Sequence, residues 1–200
     1  MQTPEFFDAV PPILMFDPLA EFLGAADDGL LEYRYLDVVK AAGHSCPTVA
    51  GAWLMTRKAL AHLYPGELPR RGGIRVELHR ALDDGVAGVI GSVAGFITGA
   101  ANEGGFKGLG GQFARQGLLR FGAPMAGDIR FTRVDSGQAI ELGFRPQAVP
   151  RPDALVNAMP PPSPQADGAR RRAFAIAWQD WVRTLLLDHA EDPALIEVSG

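Results

Sequence analysis

"IRVELHR", residues 74–80, is the stretch whose reading decides the fold. Ile74, Val76 and Leu78 alternate with Arg75, Glu77 and His79. A period of two is that of a β-strand, so this segment is expected to carry one buried apolar face and one charged face. The next segment has a different pattern. Residues 85–102 hold no charged side chain, and Gly91, Gly95 and Gly99 recur every fourth position. Small residues at that spacing let helices approach closely, also inside membranes. The stretch is at the bottom of the length that spans a bilayer, is diluted with glycine and has no basic flank. It is expected to be a buried helix whose glycine face meets a sheet or the same helix of a partner subunit.

Further strands are expected at 118–121 and in a hairpin, 128–134 and 139–145, joined by the turn signal "DSGQ". Upstream, residues 47–63 read as a helix with Val49, Trp53, Leu60 and Leu63 near one face, stopped by Pro65-Gly66. Residues 30–39 have strand-to-helix character. Residues 1–29 read as short helical pieces broken by Pro11, Pro12 and Pro18. Seven prolines between 146 and 168 mark a linker with at most one helical turn. Residues 169–189 form an amphipathic helix, with Phe174, Trp178, Trp181 and Leu185 on its apolar stripe. This helix is expected to dock on the domain or on a second subunit. The organisation is therefore a core at 1–145, a proline-rich linker at 146–168, and a helix with a tail at 169–200.

The chain has 200 residues, 47% of them apolar and 21% charged, enough for a core without disulfides or metal. Its net charge of −4 argues against binding nucleic acid through phosphates. The basic run Arg170-Arg171-Arg172 reads as the solvated first turn of a helix. A single cysteine excludes an internal disulfide and fits a reducing compartment. The opening "MQTPEFFDAVPPI" lacks the basic region of a secretory signal, so a cytoplasmic location and no membrane association are expected.

That cysteine stands in "AAGHSCPTVAGAW", residues 41–53. Proline is favoured at the first helical position, which places Cys46 at the N-cap. There the free N–H groups and the positive end of the helix stabilise a thiolate, the form that attacks electrophiles and binds metals. His44, two residues earlier, supplies an imidazole; imidazole with thiolate suits zinc or another transition metal. The same spacing fits a small buried thiol beside a hydrogen-bonded histidine. Glu77 and His79 share one face of the strand at 74–80 and could add ligands, or could simply be the solvated face of that strand. The glycine-rich run "EGGFKGLGGQFARQG", residues 103–117, satisfies neither the P-loop nor the dinucleotide pattern. It reads as a loop beside a cleft, with anion or cofactor contact by Lys107 and Arg115 as its functional option.

The chain resembles the FmdE-like family, named for a component of formylmethanofuran dehydrogenase, whose members open a helix with His-Gly-His-x-Cys-Pro-Gly. Gly43, His44, Cys46 and Pro47 match; Ala42 and Thr48 replace the outer histidine and glycine. Farther on, Glu77, Asp84 and Gly91 match, while Ala81 stands where that family has a second cysteine. The likeness covers roughly residues 30–145. It implies an α+β fold, a thioredoxin-like mixed β-sheet flanked by helices, here with a C-terminal helical extension, and often a homodimer. It also implies a zinc-type site at His44 and Cys46, completed here by Glu77 or His79. Three functions are open: a metal-binding protein, as an accessory to a metalloenzyme of one-carbon metabolism; a thiol enzyme using Cys46 with His44 as base; or a small-ligand binder at the Cys46 cleft.

Overall fold

A computed structural model describes residues 3–199. At its centre is helix α3, Pro47–Leu63. Pro47 occupies the first helical position, and the 17-residue helix ends before Pro65, as the sequence predicts. Val49 to Thr56 are buried without interruption, so α3 is enclosed on all sides over its first two turns. One side lies on a mixed five-stranded sheet. Its strands are β3 (Ile74–Leu78), β4 (Leu119–Arg120), β5 (Ile129–Arg133), β6 (Ala139–Phe144) and β7 (Ile196–Ser199), in the order β4-β3-β5-β6-β7. Strands β3 and β4 are parallel; all other neighbours are antiparallel. The class is α+β.

The alternation at 74–78 does what the pattern requires. Ile74, Val76 and Leu78 enter the core, and Arg75 and Glu77 take the other face. Between β3 and β4 runs α4 (Ala87–Thr98). Its glycines settle which neighbour they serve. A Cβ on Gly91 would sit 2.7 Å from the Phe121 ring and 3.4 Å from Leu78, and one on Gly95 would sit 2.6 Å from the Ala100 carbonyl oxygen. The glycine face therefore turns towards β3 and the segment around β4, not away from the molecule.

Both ends of the chain add strands that their sequences do not announce. At the N-terminus, β1 (Ile13–Phe16), where helical pieces are expected, pairs with β2 (Leu30–Tyr33), the strand half of the strand-to-helix segment expected at 30–39. Asp17 then caps the short helix α1 (Pro18–Phe22), accepting from the N–H groups of Leu19 and Ala20. Helix α2 (Tyr35–Ala42) packs on α3 and α4. At the C-terminus, the proline-rich segment buries Val149 and Leu155, the latter in a one-turn helix α5 (Asp153–Asn157). Helix α6 (Gly168–Arg183) docks on this same domain through Ala177, Trp181 and Val182. The chain then returns to the sheet as β7.

The N-terminal hairpin is held by charge. Asp17 is 3% exposed and receives Arg71 at 2.9 Å and Arg115 at 2.7 Å. Burial raises the Asp17 pKa, but the Arg71 hydrogen bond, the Arg115 charge and the two N–H donors outweigh it and hold the carboxyl below its usual range. Arg115 of the glycine-rich loop thus has a structural partner in Asp17.

Two outcomes test this architecture. Alanine is normally about 1 kcal/mol better than glycine inside a helix. Gly95→Ala should nevertheless destabilise the protein by about 1–3 kcal/mol, because the backbone carbonyl it meets has nowhere to go; a gain in urea-denaturation stability would refute the close approach. Asp17→Asn leaves Arg115 buried and unpaired, and should cost about 3–5 kcal/mol at neutral pH. A carboxyl more acidic in the folded state stabilises fully above its unfolded value, about 3.9, and loses this as pH falls through the folded value. The stability gap between wild type and Asp17→Asn should therefore close on acidification below about pH 4.

Candidate functional site

The residues before α3 are arranged by a short turn. Helix α2 ends on Gly43, whose φ of 77° is the left-handed conformation that a glycine C-cap adopts. His44 comes next, exposed, and donates from Nδ1 to the Ala42 carbonyl at 3.0 Å. A carbonyl only accepts, so Nδ1 carries the proton and Nε2 is left facing outward. Ser45 is tied on two sides. Its hydroxyl is 3.1 Å from the Tyr35 phenol, and its carbonyl receives Trp178 Nε1 at 3.2 Å and Gln179 Nε2 at 3.1 Å. Burial pushes the Tyr35 phenol well above its ordinary range, so this buried O–H stays neutral. Cys46 is the N-cap of α3, half-buried, and forms no side-chain cap hydrogen bond.

A cleft of about 550 Å³ opens at Pro47 and Thr48, the residues after Cys46; His44 and Cys46 themselves do not line it. Pro47 and Thr48 at the start of α3, Val86 and Ala87 at the start of α4, Leu78 and Arg80 after β3, and Phe144 and Arg145 after β6 form its walls. β5 runs against both β3 and β6, so β3 and β6 point the same way and the cleft lies at their carboxyl ends. This is where open α/β sheets bind ligands. Neither α3 nor α4 has a side-chain N-cap; the first N–H of α4, that of Ala87, is taken by the Asp84 carbonyl at 3.2 Å, and Pro47 at the start of α3 has none. The two guanidiniums differ. Arg145 is held by Asp128 at 2.8 Å and by Glu197 of β7 at 3.1 Å. Arg80 makes only a loose, exposed pair with Asp84 at 3.4 Å.

The other expected site residues are distributed elsewhere. Glu77 points to the opposite face of the sheet, nine-tenths buried, between Arg75 at 3.3 Å and Arg130 at 3.8 Å. It is not brought to the His44–Cys46 turn. His79 lies just past the end of β3 with its side chain exposed and its N–H on the Asp128 carbonyl. Lys107 is exposed in the glycine-rich loop and is not part of the cleft. Among the described residues, no group of three or more His, Cys, Asp or Glu side chains is placed to hold a metal ion. His44 and Cys46 alone share one turn. Sequence reasoning missed Arg80 and Arg145. Each ends a strand pattern, and only the pairing of β3, β5 and β6 shows that they share a cleft.

Compared with known protein families, with curated proteins and with solved structures, the chain matches none. No helix among the described residues is long and apolar enough to cross a membrane.

The clamp on Ser45 predicts how the thiol behaves. Trp178→Ala with Gln179→Ala removes two hydrogen bonds worth roughly 1 kcal/mol each and should speed alkylation of Cys46 by iodoacetamide about tenfold. An unchanged rate would show that α6 does not restrain the turn.

Proposed function

We propose that the chain binds a small molecule bearing a carboxylate or phosphate in the cleft beside Cys46. The observation that carries this reading is the convergence of two uncapped helix N-termini with the loosely held Arg80 at the carboxyl ends of β3 and β6. Backbone N–H groups and a guanidinium recognise oxyanions without any metal. Leu78, Ile90 and Phe144 give the cleft an apolar wall for the rest of the ligand. The parallel β3–β4 pair joined through α4, continued by the antiparallel β5–β6 hairpin, supports a thioredoxin-like reading of the sheet. The Gly43–Pro47 turn supports the likeness to the FmdE-like family, and the single cysteine supports a reducing, cytoplasmic setting.

Thermal unfolding in the presence of inorganic phosphate and of short dicarboxylates tests the proposal. Millimolar anion should raise the midpoint in wild type, and Arg80→Ala, an exposed change, should abolish the rise. Equal shifts in both proteins, or none in either, would sink the reading.

One observation favours a second reading. Metal-ligating histidines commonly donate their other ring N–H to a carbonyl, as His44 does to Ala42. His44 Nε2 and the Cys46 thiolate would then hold zinc or a similar ion, the remaining ligands coming from solvent or from a metalloenzyme partner. Elemental analysis of wild type and Cys46→Ser decides it: near-zero metal in both removes it. A metal-free protein whose Cys46 alkylates fast at neutral pH favours thiol chemistry with His44 as base instead.

A further inference from the structure

The cleft at the ends of β3 and β6 carries charge of both signs. Arg80, Asp128 and Arg145 all line it. Arg145 is shared by two carboxylates, Asp128 at 2.8 Å and Glu197 at 3.1 Å, so this group has one negative charge in excess. Asp128 uses its two oxygens unequally. Oδ2 accepts both the Phe144 N–H and the Arg145 guanidinium, each at 2.8 Å. Oδ1 accepts no hydrogen bond from the described residues and remains a free acceptor on a residue of the cleft. The backbone of Asp128 is pinned on both sides. Its carbonyl receives the His79 N–H at 3.0 Å, and its N–H donates to the Leu142 carbonyl at 2.8 Å. Arg80 directly follows His79, so the loosely held guanidinium and the free carboxylate oxygen belong to positions next to one backbone hydrogen bond.

We propose that the ligand of this cleft is an α-amino acid with an apolar side chain. The inference rests on the oxyanion reading given above and names the ligand class. The ligand carboxylate takes Arg80 from Asp84, the ligand ammonium donates to Asp128 Oδ1, and the side chain lies on the wall of Leu78, Ile90 and Phe144. Charge decides between this and a simple anion. A ligand with an oxyanion alone meets Asp128 as a like charge, and Arg145 does not cancel that charge because Glu197 shares it. An ammonium beside the oxyanion replaces this repulsion with a charge-assisted hydrogen bond. A site that holds such a group rejects the analogue lacking it, because its own polar atom is then left unpaired.

Isothermal titration calorimetry of the full chain tests this with matched pairs: L-leucine against 4-methylpentanoate, and L-phenylalanine against 3-phenylpropionate. Each pair differs only by the amino group. In wild type, at least one amino acid should bind about tenfold or more tightly than its des-amino partner. Asp128→Asn keeps an amide oxygen for the Phe144 N–H; it should remove that preference while the des-amino acids still bind. Arg80→Ala should weaken every ligand. Equal affinities within both pairs, still dependent on Arg80, would overturn this inference and leave the oxyanion reading standing. A preference that survives Asp128→Asn would also overturn it. So would the absence of binding by any of these ligands, with the phosphate-induced shift of the unfolding midpoint then deciding the oxyanion reading separately.

Discussion

The fold depends on the burial of α3. Eight successive residues at its start, Val49 to Thr56, are shut away from water, and this is possible only because the helix has neighbours on every side. Trp53 is fully buried and stacks edge-on against Tyr35 at 5.9 Å; truncating such a side chain typically costs about 3–5 kcal/mol. The sheet can approach this closely because Gly51 faces the Phe144 ring. A Cβ there would lie 2.5 Å from a ring carbon. The contact places the end of β6 against the first turns of α3, and so it also sets the width of the cleft.

The charged interactions result from this packing and do not drive it. Asp17 and Arg115 are 98 residues apart in sequence and meet because β1 and the glycine-rich loop are both laid on the core. Burying such a pair costs desolvation that the Coulomb attraction roughly returns. Its value is geometric, since only one docking of the N-terminal hairpin satisfies both groups. Gly72 and Gly99 belong to the same arrangement. The Arg115 guanidinium lies so close over both that a side chain at either would displace it.

Much of the core is legible in the sequence. Pro47 and Pro65-Gly66 bracket α3. Period-two alternation marks β3, and Ser136-Gly137 marks the hairpin turn, where Gly137 takes a φ of 74°. The strands β1 and β7 are not legible. Each has four residues, too few for a pattern, and each becomes a strand because a partner edge satisfies its backbone. The site divides in the same way. His44 and Cys46 stand out because proline fixes where their helix begins. Glu77 stands out equally well on a strand, but pleating turns it to the opposite face, where two arginines hold it. Alternation predicts that two faces exist; it does not say which one the helix N-terminus overlooks.

The C-terminal segment then acquires a role beyond covering the core. Trp178 and Gln179 of α6 hold the Ser45 carbonyl, one residue before Cys46. Glu197 of β7 holds Arg145 on the far wall of the same cleft. Both walls are thus restrained by residues that come after the proline-rich stretch. The burial of Val149 and Leu155 anchors the first part of that stretch to the core. Of the two arginines in the cleft, Arg145 is spent on Asp128 and Glu197, whereas Arg80 has only its exposed bond to Asp84. An exposed i,i+4 pair of this kind is worth about 0.3–0.5 kcal/mol. Under the proposed function, an oxyanion would displace that bond far more readily than the Arg145 network, leaving Arg145 as the fixed wall and Arg80 as the group to engage it.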